Sequence, residues 1–451
     1  MSTTGNFRGG FGPHTFQIRT LGCPVNQFEG RALAEAMTRA GFRETAGAAD
    51  VYIVNSCAVT GAAAAEARRL IRGVKRDHPG SLVVLAGCYP QVYRAEIEDG
   101  LPEADLVVGT ADRSRLPELV RQRLFGAGVP RIQVEEHRPG ESFGELPLPA
   151  RYGRARPVLK IQEGCDEACT YCIVRVARGR PRSMDPAQVL GRVRHLLDLG
   201  YREIVLAGTH LGAYGKDRPG WNLARIVREA GALSYDFRLR LDYVEPVDVS
   251  RDLLEAMASS SRVCPFLYLP LQSGSDPVLR KMGRRYTAGD YVRLVETARG
   301  LIPGLAVWTD LIAGFPGETP EDHAATVSLV RQLAFARLHV FPYSPRPGTA
   351  AASFPGQIAP DVKKKRVLEL RALGRELSLV FHRGLVGKET RVLVEKVAAG
   401  RAEGHSERYV KVGFPAPGPA LRGSLVTVRV TAAREWGVEG AGPEKLRVPK
   451  P

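Results

Sequence analysis

The sequence predicts an α/β protein in three parts: an N-terminal parallel-sheet domain carrying three cysteines, a central partial (β/α)6 barrel, and a small all-β barrel at the C-terminal end. Three observations lead there. Short apolar runs alternate with helical patterns from Thr15 to about Gly109, and again from Pro157 to Tyr343, as strand and crossover-helix units do. A stretch rich in Gly, Pro and charge, without an apolar period, separates the two regions. Past Gly387 the helical period stops and short alternating runs replace it. The expected parts are residues 14–125, a linker at 126–150, 151–384 with a basic helix at its end, and 385–451.

In the first part "TFQIRTLGC", "DVYIVNSC", "SLVVLAGC" and "ADLVVGT" read as strands, with helices such as "EGRALAEAMTRAG" and "AAAAEARRLIRGVKR" between them. Cys23, Cys57 and Cys88 each follow one of the first three strands, 34 and 31 residues apart. In an open α/β sheet the C-terminal strand ends share one edge, where ligands bind. Three sequence-distant thiols therefore converge there, unless all three are core cysteines.

The central part offers six strands: "PVLKIQEG", "EIVLAGT", "FRLRLDYVEP", "PFLYLPLQSG", "LAVWTDLIAGFPG" and "RLHVFPYSP". Six β/α units make an open or partial barrel with its functional loops at the strand C-termini. The last part offers "ETRVLVEKV", "RYVKVGF" and "LVTVRVTAA", the size of a small RNA-binding barrel. From Gly387 onward it holds 12 Lys and Arg against 7 Asp and Glu.

Hydrophobic residues make up 44% and charged residues 25% of the 451, which excludes disordered and fibrous classes. The first fourteen residues lack the apolar core of a secretory leader, and no run approaches a membrane span. The expected location is the cytoplasm, with no membrane partner. There, seven cysteines read as metal ligands, reactive groups or core residues before disulfides. Lys and Arg number 64 against 48 Asp and Glu, a net charge of +16. That favours a polyanionic partner, although a merely basic surface gives the same count.

The densest chemistry is "GCDEACTYC", with Cys165, Cys169 and Cys172 after the first barrel strand. Structural zinc wants four ligands, so a zinc reading needs a fourth from elsewhere. A 4Fe-4S cluster held by three thiolates keeps one open iron for a substrate or cofactor. "CDEACTYC" resembles the CxxxCxxC motif of radical S-adenosylmethionine enzymes, including the aromatic Tyr171 before the last cysteine. The resemblance implies that the open iron chelates the methionine end of S-adenosylmethionine. One-electron reduction then yields a 5′-deoxyadenosyl radical.

The likeness extends along nearly the whole chain. "TLGCPVNQFE", "NSCAVT", "AGCYPQ", "KIQEGCDEACTYCIVRVARGRPRS", "LPLQSGSD", "LIAGFPGET" and the terminal barrel together resemble the methylthiotransferase family. Its members join a three-cysteine domain, a radical S-adenosylmethionine domain and a TRAM domain. The resemblance implies a second 4Fe-4S cluster on Cys23, Cys57 and Cys88, with S-adenosylmethionine as the other cofactor. It also implies replacement of a C–H bond by C–S–CH3, and an external electron donor and sulfur source. By the same resemblance Tyr171, Glu245, Gln272 and Ser273 are candidate S-adenosylmethionine contacts, with structural loop roles as the other reading. "HLGAYG" and "HVFPYSPRPGTAAA" look most like the branch acting on threonylcarbamoyladenosine in tRNA. The departures are Pro24 where lysine is expected and "IVRVARGR" for "IIPYARGR". Isopentenyladenosine in tRNA and a ribosomal-protein aspartate are the alternative substrates. A non-catalytic iron–sulfur RNA-binding sensor is the alternative of another class.

Further residues stand out less. The glycines of 208–215 permit close backbone approach; Cys264 reads as core; none of the nine histidines forms a metal-spaced pair. Arg178, Arg180 and Arg182 suit either phosphates or a surface turn, and Arg434 and Trp436 either RNA or scaffold.

Overall fold

The computed structural model describes residues 14–126, 128–149, 152–416, 418 and 421–442. The absence of a leader core, read on the first residues, falls outside these apart from His14. So do 127 and 150 of the linker, 151, and 417, 419–420 and 443–451 of the last segment. The chain forms two compact units, one of residues up to 138 with 144–151, the other of 139–143 with everything from 152 onward.

The first unit is a six-stranded, wholly parallel sheet. Its strands are β1 (Thr15–Thr20), β2 (Arg43–Glu44), β3 (Val51–Ser56), β4 (Leu82–Gly87), β5 (Leu106–Val108) and β6 (Ile132–Gln133), in spatial order β2-β1-β3-β4-β5-β6. Every residue of β3 is buried, as a strand covered on both faces requires. The two short strands β2 and β6 carry too little apolar pattern to be read from sequence, and β6 draws residues 132–133 into the sheet. The order reverses at β1, flanked by β2 on one side and β3 on the other. The register runs straight across this switch point, Thr20 facing Asn55 and Ser56 facing Gly87. Ligands of open α/β sheets sit beyond such strand ends.

The second unit holds the six parallel strands expected. They are β7 (Val158–Glu163), β9 (Glu203–Gly208), β10 (Arg238–Leu241), β11 (Phe266–Tyr268), β12 (Ala306–Ala313) and β13 (Arg337–Pro342), with β8 (Arg182–Ser183) an antiparallel addition to β7. The two sheets meet at β10 and β11, where the Leu239 amide donates to Arg262 O (2.7 Å) and Cys264 N to Leu239 O (2.8 Å). The result is a (β/α)6 partial barrel with β13 as its open edge. Its crossover helices start on side-chain caps: Asp185, Asn222, Ser250, Thr287 and Thr319 each accept from a first-turn amide.

The last segment closes into a five-stranded barrel: β14 (Glu389–Ala398), β15 (Arg401–Ser406), β16 (Lys411–Pro415), β17 (Leu425–Arg434) and β18 (Gly437–Gly440), in the order β14-β15-β16-β18-β17. Sequence reading finds three of the five. β15 is "RAEGHS" and β18 only four residues, so both pair without an apolar pattern. The core is Val392, Val394, Val412, Phe414, Val428, Val430 and Val438.

This barrel caps the N-terminal ends of the parallel strands. Arg238 donates to Arg391 O (2.5 Å) and His405 O (2.6 Å), and Arg240 to Ser406 O (3.0 Å) and Glu407 O (3.1 Å). The Tyr409 ring stacks on Trp308 with centroids 4.7 Å apart. Cys264 lies in this floor with Phe266, Ala306, Trp308 and Ala336, a core residue as read.

Candidate active site

In the first unit Cys57 and Cys88 directly follow β3 and β4, on neighbouring register positions, and Cys23 follows β1 by three residues. Cys57 and Cys88 are buried and Cys23 is exposed. Cys23 is the N-cap of helix Pro24–Arg39, whose N1 position is Pro24. The departure from lysine is thus a good helix start, since proline's missing N–H costs nothing there. Gly22, at φ +97°, lies so close to Cys57 that an added Cβ would be 2.7 Å from its Cβ. Only glycine lets the first loop fold over the second.

Asn26, fully buried, ties the three loops together. Its amide donates to Leu21 O (2.9 Å) and Ser56 O (3.0 Å), its Oδ1 stands 3.8 Å from Cys88 Sγ, and its own carbonyl accepts from Asn55 Nδ2 (3.0 Å). A polar residue one turn into a helix gives no sign in sequence that it is this hub.

In the second unit the loop after β7 holds Cys165, Cys169 and Cys172. Gly164, at φ +81°, starts it; an added Cβ would sit 1.9 Å from Arg180 O. The loop is held from below. Thr170 N donates to Met282 O (3.0 Å), Thr170 Oγ1 to Lys281 O (2.8 Å), and Ala351 N to Thr170 O (2.8 Å). Burial pushes all three thiols up, Cys172 to about 12. A bound metal ion would lower them again by stabilising the thiolates. Backbone amides of Glu167 and Val174 already point at Cys165 and Cys172.

Of the further sequence candidates, Glu245 and Tyr171 come to this loop. Glu245 pairs with buried Arg284, and Arg284 Nη1 lies 3.2 Å from Cys169 Sγ and 3.5 Å from Tyr171 Oη. Burial keeps the Tyr171 hydroxyl protonated well above its usual range. Gln272, four residues past β11, bridges alongside β12 at φ +67°, its N–H on Asp310 O (2.8 Å) and its carbonyl on Ile312 N (2.9 Å). A non-glycine held in that region marks a strained strand end, the kind found at ligand clamps. The Ser273 hydroxyl is engaged with Thr326 Oγ1 on the helix Pro320–Leu333 (3.3 Å) and with Ser275 N in its own loop (3.2 Å).

Two residues join the site without warning from sequence. Arg284 is one arginine among many. His210, 1% exposed, has Nδ1 3.4 Å from Cys165 Sγ and Nε2 against the Asp248 carboxylate. The glycines of 208–215 serve this arrangement. A Cβ on Gly208 would meet Gln162 Oε1 at 2.8 Å, and one on Gly212 would meet Asp248 Cβ at 2.3 Å. Arg178 and Arg182 are not available to phosphate: both are buried, the first paired with Glu163 (3.0 Å) and the second with Glu141 (2.8 Å). Arg180, Arg434 and Trp436 are exposed.

The donor sets fit iron–sulfur clusters. The first trio gathers thiols from three loops at one sheet edge and the second from a single loop, with N–H groups beside Cys57, Cys165 and Cys172. Among the described residues neither trio has its sulfurs within 4.8 Å of one another.

Comparison with known proteins agrees. Residues 15–109 match the model of the uncharacterized protein family UPF0004, and 159–330 that of the radical SAM superfamily. The chain is 36% identical to threonylcarbamoyladenosine tRNA methylthiotransferase MtaB of Thermotoga maritima, over 94% of this chain and 96% of the relative. To the Bacillus subtilis protein of that name it is 35% identical over 93% and 94%. A tRNA-2-methylthio-N(6)-dimethylallyladenosine synthase of Moorella thermoacetica is 35% identical over 94% and 98%. Among solved structures the radical S-adenosylmethionine methyltransferase TsrM of Kitasatospora setae shares the fold, with TM-score 0.54 at 19% identity over 74% of this chain and 75% of that one. An enzyme with two cysteine trios, a radical S-adenosylmethionine barrel and a terminal β-barrel, working with 4Fe-4S clusters and S-adenosylmethionine, belongs to the radical S-adenosylmethionine methylthiotransferase family.

Proposed function

We propose that this enzyme adds a methylthio group to carbon 2 of threonylcarbamoyladenosine next to the anticodon of tRNA. The observation that carries the reading is the pair of cysteine trios, each at the C-terminal end of its own parallel sheet, in a chain over a third identical to enzymes named for that substrate. Cys165, Cys169 and Cys172 hold one cluster, and Cys23, Cys57 and Cys88 the other. Loaded, the first cluster would supply a carbon radical from S-adenosylmethionine, and the second would carry the externally supplied sulfur of the new group.

The chain's own residues do the rest. Glu245 and the positive-φ strand end at Gln272 face the cofactor, and Ser273 keeps that strand end rigid. Arg284 holds Glu245 and lays an N–H beside Cys169; Tyr171 excludes water behind the last cysteine. His210, fixed by Asp248, does the same for Cys165. The enzyme works in the cytoplasm and draws electrons and sulfur from outside itself.

The barrel lining supports a polar substrate over dimethylallyl adenosine. Tyr268, Asp310 and His339 stand together on β11–β13, Tyr268 Oη 2.7 Å from His339 Nδ1 and bonded to Asp310. Such groups suit a ureido or hydroxyl substituent.

The test is mass spectrometry of tRNA nucleosides from a strain lacking the gene. Loss of the methylthio group from threonylcarbamoyladenosine, restored by the intact gene but not by Cys169→Ala, is expected. An unchanged profile in a strain without a redundant enzyme overturns the substrate. Anaerobic protein that binds tRNA yet never forms 5′-deoxyadenosine points to a sensor instead.

A further inference from the structure

The open edge of the partial barrel borders a groove of about 620 Å³. Strand β13 forms its floor. Helix Pro360–Arg383 forms one wall, and β16 with the turn between β17 and β18 the other. A bare strand edge invites another strand, but this one is closed: Arg371 Nη2 donates to Val340 O (2.9 Å) and Ser378 Oγ to Ala336 O (2.9 Å). The groove is therefore not built for a peptide that adds to the sheet.

Its charge and rings point to a different occupant. Arg337, Arg371, Arg375 and Lys411 line it against a single carboxylate, Glu435. Lys411 also pairs with Glu403 (2.9 Å), so the other three carry most of the field. Two aromatic side chains lie open within it, Phe341 and Trp436, each 44% exposed. The Trp436 ring rests against β16, where a Cβ on Gly413 would approach it to 3.2 Å, with the Lys411 ammonium 5.5 Å over it. Exposed rings interleaved with cations are what single-stranded nucleic acids bind, bases on rings and phosphates on cations.

The groove also leads somewhere. Trp308 and His339 are also among its lining residues, and His339 is joined to Tyr268 and Asp310 on the adjoining strands. A nucleotide turned towards those residues would leave its chain neighbours lying along the groove.

We propose that this groove holds a single-stranded RNA segment directly flanking the nucleotide being modified. One base stacks on Trp436, and phosphates lie against Arg337, Arg371 and Arg375. The inference rests on the tRNA reading above and adds the surface that presents the strand.

The test uses anaerobically purified holoenzyme and a fluorescently labelled anticodon stem-loop RNA, followed by anisotropy. Trp436→Leu is expected to weaken binding roughly tenfold or more. Arg375→Gln is expected to lower the slope of log affinity against log salt by about 0.7. Both variants are checked for iron content and unfolding midpoint. Ultraviolet cross-linking of 5-iodouridine RNA to the unaltered enzyme gives a readout that needs no variant, with adducts expected on the peptides containing Trp436 or Phe341. Wild type that binds RNA, with both variants unchanged and cross-links confined to other peptides, overturns the groove and leaves the tRNA reading standing. Wild type that binds no RNA overturns both.

Discussion

Substituting Glu203 by glutamine probes what joins the terminal barrel to the partial barrel. Glu203 is fully buried and meets Arg240 Nε at 2.7 Å, Arg238 Nε at 2.5 Å and Arg156 Nη1 at 3.3 Å. Burial pushes its carboxyl up, but Arg238, Arg240 and Arg156 outweigh that and hold it far below the usual carboxylate range. The Gln variant leaves two guanidiniums, each 2% exposed, without a carboxylate. Breaking a buried pair this way costs about 3–5 kcal/mol. At about 2–4 °C per kcal/mol for a unit of this size, the midpoint falls by roughly 6–20 °C. All three tryptophans, Trp221, Trp308 and Trp436, lie in the second unit, so intrinsic fluorescence follows that unit alone. The exposed pair Arg251–Glu255 serves as control, and Glu255→Gln is expected to cost about 0.3–0.5 kcal/mol. A carboxyl held low contributes fully above its unfolded value, about 4.3, and loses that contribution as pH falls through the folded one. The gap between Glu203→Gln and wild type therefore narrows in acid. A Glu203→Gln cost no larger than the control's refutes the account of the interface.

Asn26→Ala leaves Leu21 O and Ser56 O without their shared donor, a cost of about 1–3 kcal/mol. Its iron content should fall by about half while 5′-deoxyadenosine still forms; unchanged iron refutes the hub role. Gly283→Ala puts a Cβ 2.8 Å from Ala168 O at φ +73° and should abolish 5′-deoxyadenosine formation, whereas Gly300→Ala, with nothing within 4 Å, should not. Asp242 is pushed up to about 7, first by burial and then by Asp310. A carboxyl raised in the folded state costs stability as pH climbs from about 3.9 towards 7. Asp242→Asn should therefore gain on wild type over that range in fluorescence-detected melts, and a constant difference refutes it.

The parallel strands were legible because burial on both faces leaves nearly continuous apolar runs, as in "VYIVNS" and "LVVLAG". The cysteines were legible because thiols at strand ends have few structural reasons to recur. The strands that escaped are those whose pattern is not apolar: Arg43–Glu44 pairs through its backbone, and "RAEGHS" closes a barrel. Arg284 and His210 escaped for another reason. Their roles depend on loops 115 and 45 residues away coming within 3.5 Å, which no local pattern encodes. The arginines of "ARGRPRS" misled because a charged run normally reads as surface, whereas Glu163 and Glu141 bury two of them.

The cap beneath the partial barrel has a consequence for biosynthesis. Arg238 waits 167 residues for the His405 carbonyl it binds, an interval of roughly 10–30 s at ordinary elongation rates. Until the segment bearing Tyr409 is made, Cys264 and Trp308, themselves synthesised within that interval, lack the cover it gives them. Closure of the partial barrel's floor is therefore a late event, complete only once the terminal segment has been made.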